Sequence, residues 1–84
     1  MIFEHMDRIV FAGDSVTDME SAQPVGEGLF ENVGKSYVRI VENMLAAFYP
    51  EIYIRVTNSG ISGNTSRDLL QRFDRDVVSL KPDW

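Results

Sequence analysis

The feature that most constrains this chain is the run Arg8-Ile9-Val10-Phe11-Ala12-Gly13-Asp14-Ser15. An apolar segment runs straight into a glycine, and a serine follows on the turn. Buried parallel strands read as continuous apolar runs rather than alternating ones. Open α/β sheets gather their active sites outside the carboxyl ends of their strands. The run therefore predicts a buried strand over 8–12 and makes Ser15 a candidate nucleophile. The competing reading is a capping or turn serine, because Ser and Asp are the commonest residues in those places. Gly-Asp-Ser alone favours that second reading.

A second segment shifts the balance. Residues 52–57 are rich in β-branched and aromatic types and predict another strand. It leads into Asn58-Ser59-Gly60-Ile61-Ser62-Gly63-Asn64-Thr65, a polar turn bearing two glycines. Two strand ends of this kind side by side would make a cleft floor with free backbone N–H groups. Gly60 and Gly63 also have a conformational reading, as residues that permit positive φ in a tight turn.

Between the strands, Asp14 to about Lys35 forms a long polar connection, with a short helix over 17–22. A connection of that length is usually functional or mobile. Residues 36–49 predict an amphipathic helix, with Tyr37, Val41, Met44 and Phe48 as its core face and Val38 and Leu45 widening the stripe. Pro50 ends it. A further helix is predicted over 66–80. Thr65 followed by Asp68 resembles a capping box at its start. Leu69, Phe73, Val77 and Leu80 mark its apolar face, and Arg67, Arg72, Asp74 and Arg75 a solvated one. Pro82 breaks this helix, and Asp83-Trp84 would open a third strand. Strand–helix–strand–helix order predicts an α/β fold with a parallel sheet and helices on its faces.

These residues carry a resemblance. Gly13-Asp14-Ser15-Val16-Thr17-Asp18 resembles the first block of the SGNH (GDSL-type) serine hydrolases, and Asn58, Gly60, Gly63 and Thr65 match their second block, N-x-G-x-x-G-x-T. Gln23-Pro24-Val25-Gly26-Glu27-Gly28 and Lys81-Pro82-Asp83-Trp84 resemble the carbohydrate acetyl esterase branch, of the acetylxylan esterase type. The resemblance implies a three-layer α/β/α, flavodoxin-like fold, of which the N-terminal β-α-β-α part is present. It implies Ser15 as nucleophile and as one oxyanion N–H donor, and Gly60 as a second N–H donor. A third donor would be an asparagine in a Gly-x-Asn-Asp block, with the base and its acid in an Asp-x-x-His block. Neither block occurs in these 84 residues, so the chain is expected to be the N-terminal part of one larger domain, inactive as an esterase by itself.

The chemistry agrees. A serine hydroxyl needs an adjacent general base, and the one histidine is His5. A strand rising about 3.3 Å per residue puts His5 roughly 17 Å or more from the serine end, whereas a base must come within about 3 Å of the hydroxyl. Thr17 stands where the Gly-x-Ser-x-Gly elbow of α/β-hydrolases needs its second glycine.

Composition narrows the partners. Net charge is −5, which argues against a nucleic-acid surface and leaves no polybasic membrane patch. The absence of cysteine rules out disulfides and thiolate metal sites and fits a cytoplasmic protein. The first seven residues lack the basic start and long apolar core of a signal peptide. No cofactor motif occurs. Asp14, Asp18 and Glu20 suit capping and turn roles better than a metal site, since no histidine accompanies them. The expected partner is a small-molecule or carbohydrate ester, and a homo-oligomer is compatible with the sequence. The rival function is a non-catalytic α/β module that binds an anion at the Gly60–Gly63 loop, through N–H groups at the start of the second long helix.

Overall fold

The computed structural model describes residues 2–23, 25–28 and 32–84; Pro24 of the Gln23–Gly28 segment lies outside them. Strand β1 (Arg8–Gly13) is followed by a four-residue helix α1 (Ser15–Asp18), helix α2 (Tyr37–Phe48), strand β2 (Arg55–Gly60) and helix α3 (Ser66–Asp76). A tighter helical turn, Val78–Leu80, closes the order. Among the described residues no helix is long and apolar enough to cross a membrane.

The two strands pair in parallel, from Arg8 opposite Arg55 to Gly13 opposite Gly60. Because side chains alternate across a strand, the faces differ. Ile9, Ile54 and Val56 face α2 and pack with Val38, joined by Phe3, Phe11, Leu45 and Ile52. On the other face Ser59 bonds the carbonyl of Asp76 in α3. Helices thus lie on both sides of the sheet, and the chain is α/β with a parallel sheet. On the far side of β1, Trp84 N–H donates to Arg8 O at 3.2 Å and Trp84 O accepts from Val10 N–H at 3.1 Å. This is the bonding pattern of a parallel neighbour. Gly26 exchanges backbone hydrogen bonds with Asn58 on the outer side of β2, and its neighbour Glu27 bonds Arg8 and Thr57. The long connection is thereby pinned across the sheet, covering part of a strand edge that would otherwise invite pairing.

Several boundaries differ from the sequence reading. β2 begins at Arg55, three residues later than predicted, and runs through Asn58 and Ser59 to Gly60. Pairing with β1 determines this, since the ladder continues until Gly60 meets Gly13. The early helix starts at Ser15 because Asp14 caps it, accepting from Val16 N–H at 3.0 Å. Met19 and Glu20 then adopt positive φ, 32° and 68°, and turn the chain back. α3 stops at Asp76 rather than running to residue 80.

Two faces are also corrected. α2 turns Val38 onto the sheet, while Phe48 is 69% and Met44 51% exposed. Tyr37 stays at the margin, stacked edge-on against Phe11 with ring centroids 5.8 Å apart. Adjacent apolar stripes on one helix are equivalent by periodicity, and packing selected the one centred on Val38 and Leu45. On α3, Arg72 is buried, not solvated.

Candidate active site

The site lies where β1 and β2 end together. Ser15 opens α1 directly after its cap, Asp14, and is exposed. The first N–H groups of a helix have no partner within the helix. Among the described residues neither the Ser15 N–H nor its hydroxyl has a hydrogen-bond partner. The hydroxyl is thus presented to solvent by a short helix anchored elsewhere. Thr17, buried beneath it, shares a 2.9 Å hydrogen bond with the Tyr37 hydroxyl. A side chain on Gly13 would put its Cβ 2.5 Å from Thr17 Oγ1, so a glycine is needed where the strand passes under the helix.

Asn58 holds the other half. It is 1% exposed. Its Nδ2 donates to Thr17 O at 2.6 Å and Val33 O at 2.9 Å, and its Oδ1 accepts from Gly60 N–H at 2.9 Å. This corrects the expectation for Gly60. Its N–H is bonded inside the sheet end, and a Cβ there would fall 2.6 Å from the backbone nitrogen of Asp18. Gly60 provides close approach between β2 and α1, not an open donor.

The following turn is nearly saturated. Ile61 N–H donates to Gly13 O, Asn64 N–H to Ile61 O, Ser62 N–H to Asp18 Oδ2 and Thr65 N–H to Asp68 Oδ2. The Gly63 N–H has no acceptor among the described residues. Gly63 has φ +84° and open space where a Cβ would stand. The sequence offered two glycines for a donor role, and hydrogen-bond accounting separates them.

Asp18 ties α1 to this turn. Its carboxylate accepts from Ser21 and from both the backbone and the hydroxyl of Ser62. Burial pushes its pKa up, but the hydrogen bonds from Ser21 and Ser62 outweigh burial and hold it below the ordinary carboxylate value. At the start of α3, Thr65 and Asp68 form a reciprocal capping box, as expected. The Asp68 pKa is lowered, chiefly by the Thr65 backbone hydrogen bond. The helix end proposed as an anion site therefore already carries a carboxylate, which takes up the Thr65 N–H and repels a second negative charge.

A shallow cavity of about 240 Å³ lies beside the serine turn, lined by Gly13, Asp14, Asn64, Thr65, Ser66 and Leu69. A larger one of about 710 Å³, between Gln23 and Leu80, has no residue of the serine turn in its wall. His5 stands at the opposite end of the sheet, where its Nδ1 accepts from Tyr53 N–H at 2.9 Å, two residues before β2. Among the described residues no group of three His, Asp or Glu side chains is placed to hold a metal ion.

Sequence reasoning missed Arg72. It was assigned to the wet face of α3, yet it is 7% exposed and reaches both strand ends. The local signal is slight: Arg72 follows the apolar Leu69 by three residues, and its spacing of four to Asp76 is that of a helix-surface ion pair.

No protein-family model matches the chain. It is 53% identical over 78 residues to an acetylxylan esterase from Geobacillus stearothermophilus, a match covering 93% of this chain and 36% of that protein. The crystal structure of a catalytic mutant of Axe2, an acetylxylan esterase from the same organism, superposes with a TM-score of 0.96 at 50% identity, covering 100% of this chain and 38% of that one. LAE5, described as an alpha/beta hydrolase enzyme from the metagenome of Lake Arreo, Spain, gives 0.89 at 44% identity, covering 96% and 38%. One of the Axe2 structures is described as the catalytic mutant S15A. The chain thus spans little more than a third of the length of these relatives. By sequence and by fold it is a homologue of the acetylxylan esterase Axe2, matching the N-terminal part of that protein.

Proposed function

We propose that the protein carrying this chain is a serine esterase that removes acetyl groups from carbohydrate, with Ser15 as its nucleophile. The observation that carries this reading is Ser15 itself, exposed at the start of α1 with its hydroxyl and N–H unpartnered among the described residues, in a chain 53% identical to an acetylxylan esterase. That a catalytic mutant of Axe2 bears its change at a serine of the same number supports the assignment.

Ser15 Oγ attacks the ester carbonyl carbon, and the carbonyl oxygen takes up negative charge. The N–H groups of Ser15 and Gly63 receive that oxygen; Gly63 replaces Gly60 in this role because its N–H is the open one. Preorganised donors of this kind are typically worth about 3–4 kcal/mol each in the transition state. Collapse expels the sugar alcohol and leaves an acetyl-enzyme, which water hydrolyses. The proton passes to a general base, which the family resemblance puts in the Asp-x-x-His block, outside these residues. His5, bonded at the far end of the sheet, takes no part.

The test is to treat the full-length protein with a fluorophosphonate probe and with acetylated xylo-oligosaccharides. Adduct at Ser15 and loss of acetate release in Ser15→Ala are expected. Labelling of another serine, or undiminished turnover in Ser15→Ala, would overturn the assignment.

A further inference from the structure

We propose that Arg72 is a positioning residue that sets the separation of the two oxyanion donors; the inference rests on the esterase reading above. The Arg72 side chain is 7% exposed, and its guanidinium is shared among four groups on four segments. Nε donates to Asn64 Oδ1 at 2.5 Å. Nη2 donates to the Gly13 carbonyl at 3.2 Å. Nη1 donates to Ser59 Oγ at 3.2 Å and to Asp76 Oδ2 at 3.3 Å.

Two of these partners flank the proposed donors. Gly13 lies two residues before Ser15, and Asn64 directly follows Gly63. One rigid, planar group therefore spans from the turn that carries the Ser15 N–H to the turn that carries the Gly63 N–H. The carbonyl of Gly13 also accepts from Ile61 N–H at 3.0 Å, so the two turns meet at the same oxygen that Arg72 grips.

Stability alone accounts poorly for this placement. A buried guanidinium costs desolvation energy, and an apolar side chain of similar volume would often serve a helix–sheet contact as well. An i,i+4 pair with Asp76 needs no burial. The Arg75 hydrogen bond and, behind it, that of Arg72 lower the Asp76 pKa, keeping a counter-charge for the buried cation. The fork geometry is what the extra bonds use, and a lysine cannot reproduce it.

The experiment compares full-length wild type, Arg72→Lys, Asn64→Ala and the double variant. Each is assayed on an aryl acetate well below its melting temperature, and Ser15 phosphonylation by the fluorophosphonate is timed in parallel. Displacing donors by a fraction of an ångström to about 1 Å can cost on the order of 100-fold in rate. Arg72→Lys is therefore expected to lose about 30-fold or more in kcat with KM within about 3-fold, because the donors act chiefly in the transition state. Its phosphonylation rate should fall in step. Asn64→Ala should lose kcat as well, and the double variant should lose less than the product of the two single losses, since both break one linkage.

A folded Arg72→Lys with wild-type kcat overturns the inference, as does full multiplicativity of the two losses. Should Arg72→Lys not fold, Asn64→Ala decides: wild-type kcat there overturns the proposal and a lowered kcat with unchanged KM supports it. A wild type that hydrolyses no acetate and is not labelled at Ser15 would instead refute the esterase reading.

Discussion

Asn58, buried in β2, donates through Nδ2 to the backbone carbonyl of Thr17 in α1 at 2.6 Å. The same side chain bonds Val33 O and Gly60 N–H, so one amide holds the serine's helix, the long connection and the end of β2 together. Asn58→Ala would leave those buried groups unpaired. An unsatisfied buried group costs about 1–3 kcal/mol, so a loss of about 3 kcal/mol is expected. Chemical denaturation measures it, and a loss below about 1 kcal/mol would show that the network is dispensable.

Gly60 and Gly63 should respond differently to alanine. At Gly60 the new Cβ would meet the backbone nitrogen of Asp18 at 2.6 Å. α1 must shift, at a cost of about 1–3 kcal/mol for overpacking, and Ser15 shifts with it. At Gly63 the Cβ meets nothing, so the loss is the strain of an alanine at positive φ, about 1–2 kcal/mol. Both variants keep their backbone N–H. Melting temperature and kcat together test this: Gly60→Ala should lower both more than Gly63→Ala does.

Asp18 should make stability fall in acid. Its folded pKa is held below the unfolded value of 3.8. A depressed carboxylate contributes stability that is fully present above its unfolded pKa and is lost as pH falls through the folded one. Asp18→Asn should therefore be the less stable protein at neutral pH. The gap should close below about pH 4, as wild type loses the same contribution. A pH-independent difference in melting temperature would contradict this role.

Lys81 adopts φ 53° and caps the last helical turn. A left-handed residue other than glycine costs about 1–2 kcal/mol. Glycine pays no such penalty but loses more chain entropy on folding. Lys81→Gly should stabilise by about 0.5–1 kcal/mol, read as a rise in melting temperature.

The 84-residue chain produced alone is expected to show no Ser15-dependent hydrolysis of an aryl acetate. Its one histidine is bonded to Tyr53 at the amino ends of the strands, while Ser15 stands beyond their carboxyl ends. In the full-length protein His5→Ala should leave kcat unchanged. A large loss there would mean that the histidine reaches the serine after all.

The sequence by itself determined the order of elements and the place of the serine. An unbroken apolar run ending at Gly13, the helix stop before Pro50 and the Thr65–Asp68 capping box are short-range signals, written in neighbouring residues. They were legible because strand burial, proline geometry and capping act over a few positions. Only the tertiary structure decided which of two adjacent stripes of α2 meets the sheet. It also extended β2 to Gly60, because the ladder partner of that residue is Gly13, far away in the chain. The same long-range pairing put the Gly60 N–H on Asn58 and left that of Gly63 open. It drew Arg72 inward as well, since the acceptors that make its burial tolerable come from Gly13, Ser59, Asn64 and Asp76. Three of those four lie outside its own helix. A charge is buried only where the fold assembles its partners, and the local pattern around Arg72 contains just one of them, Asp76.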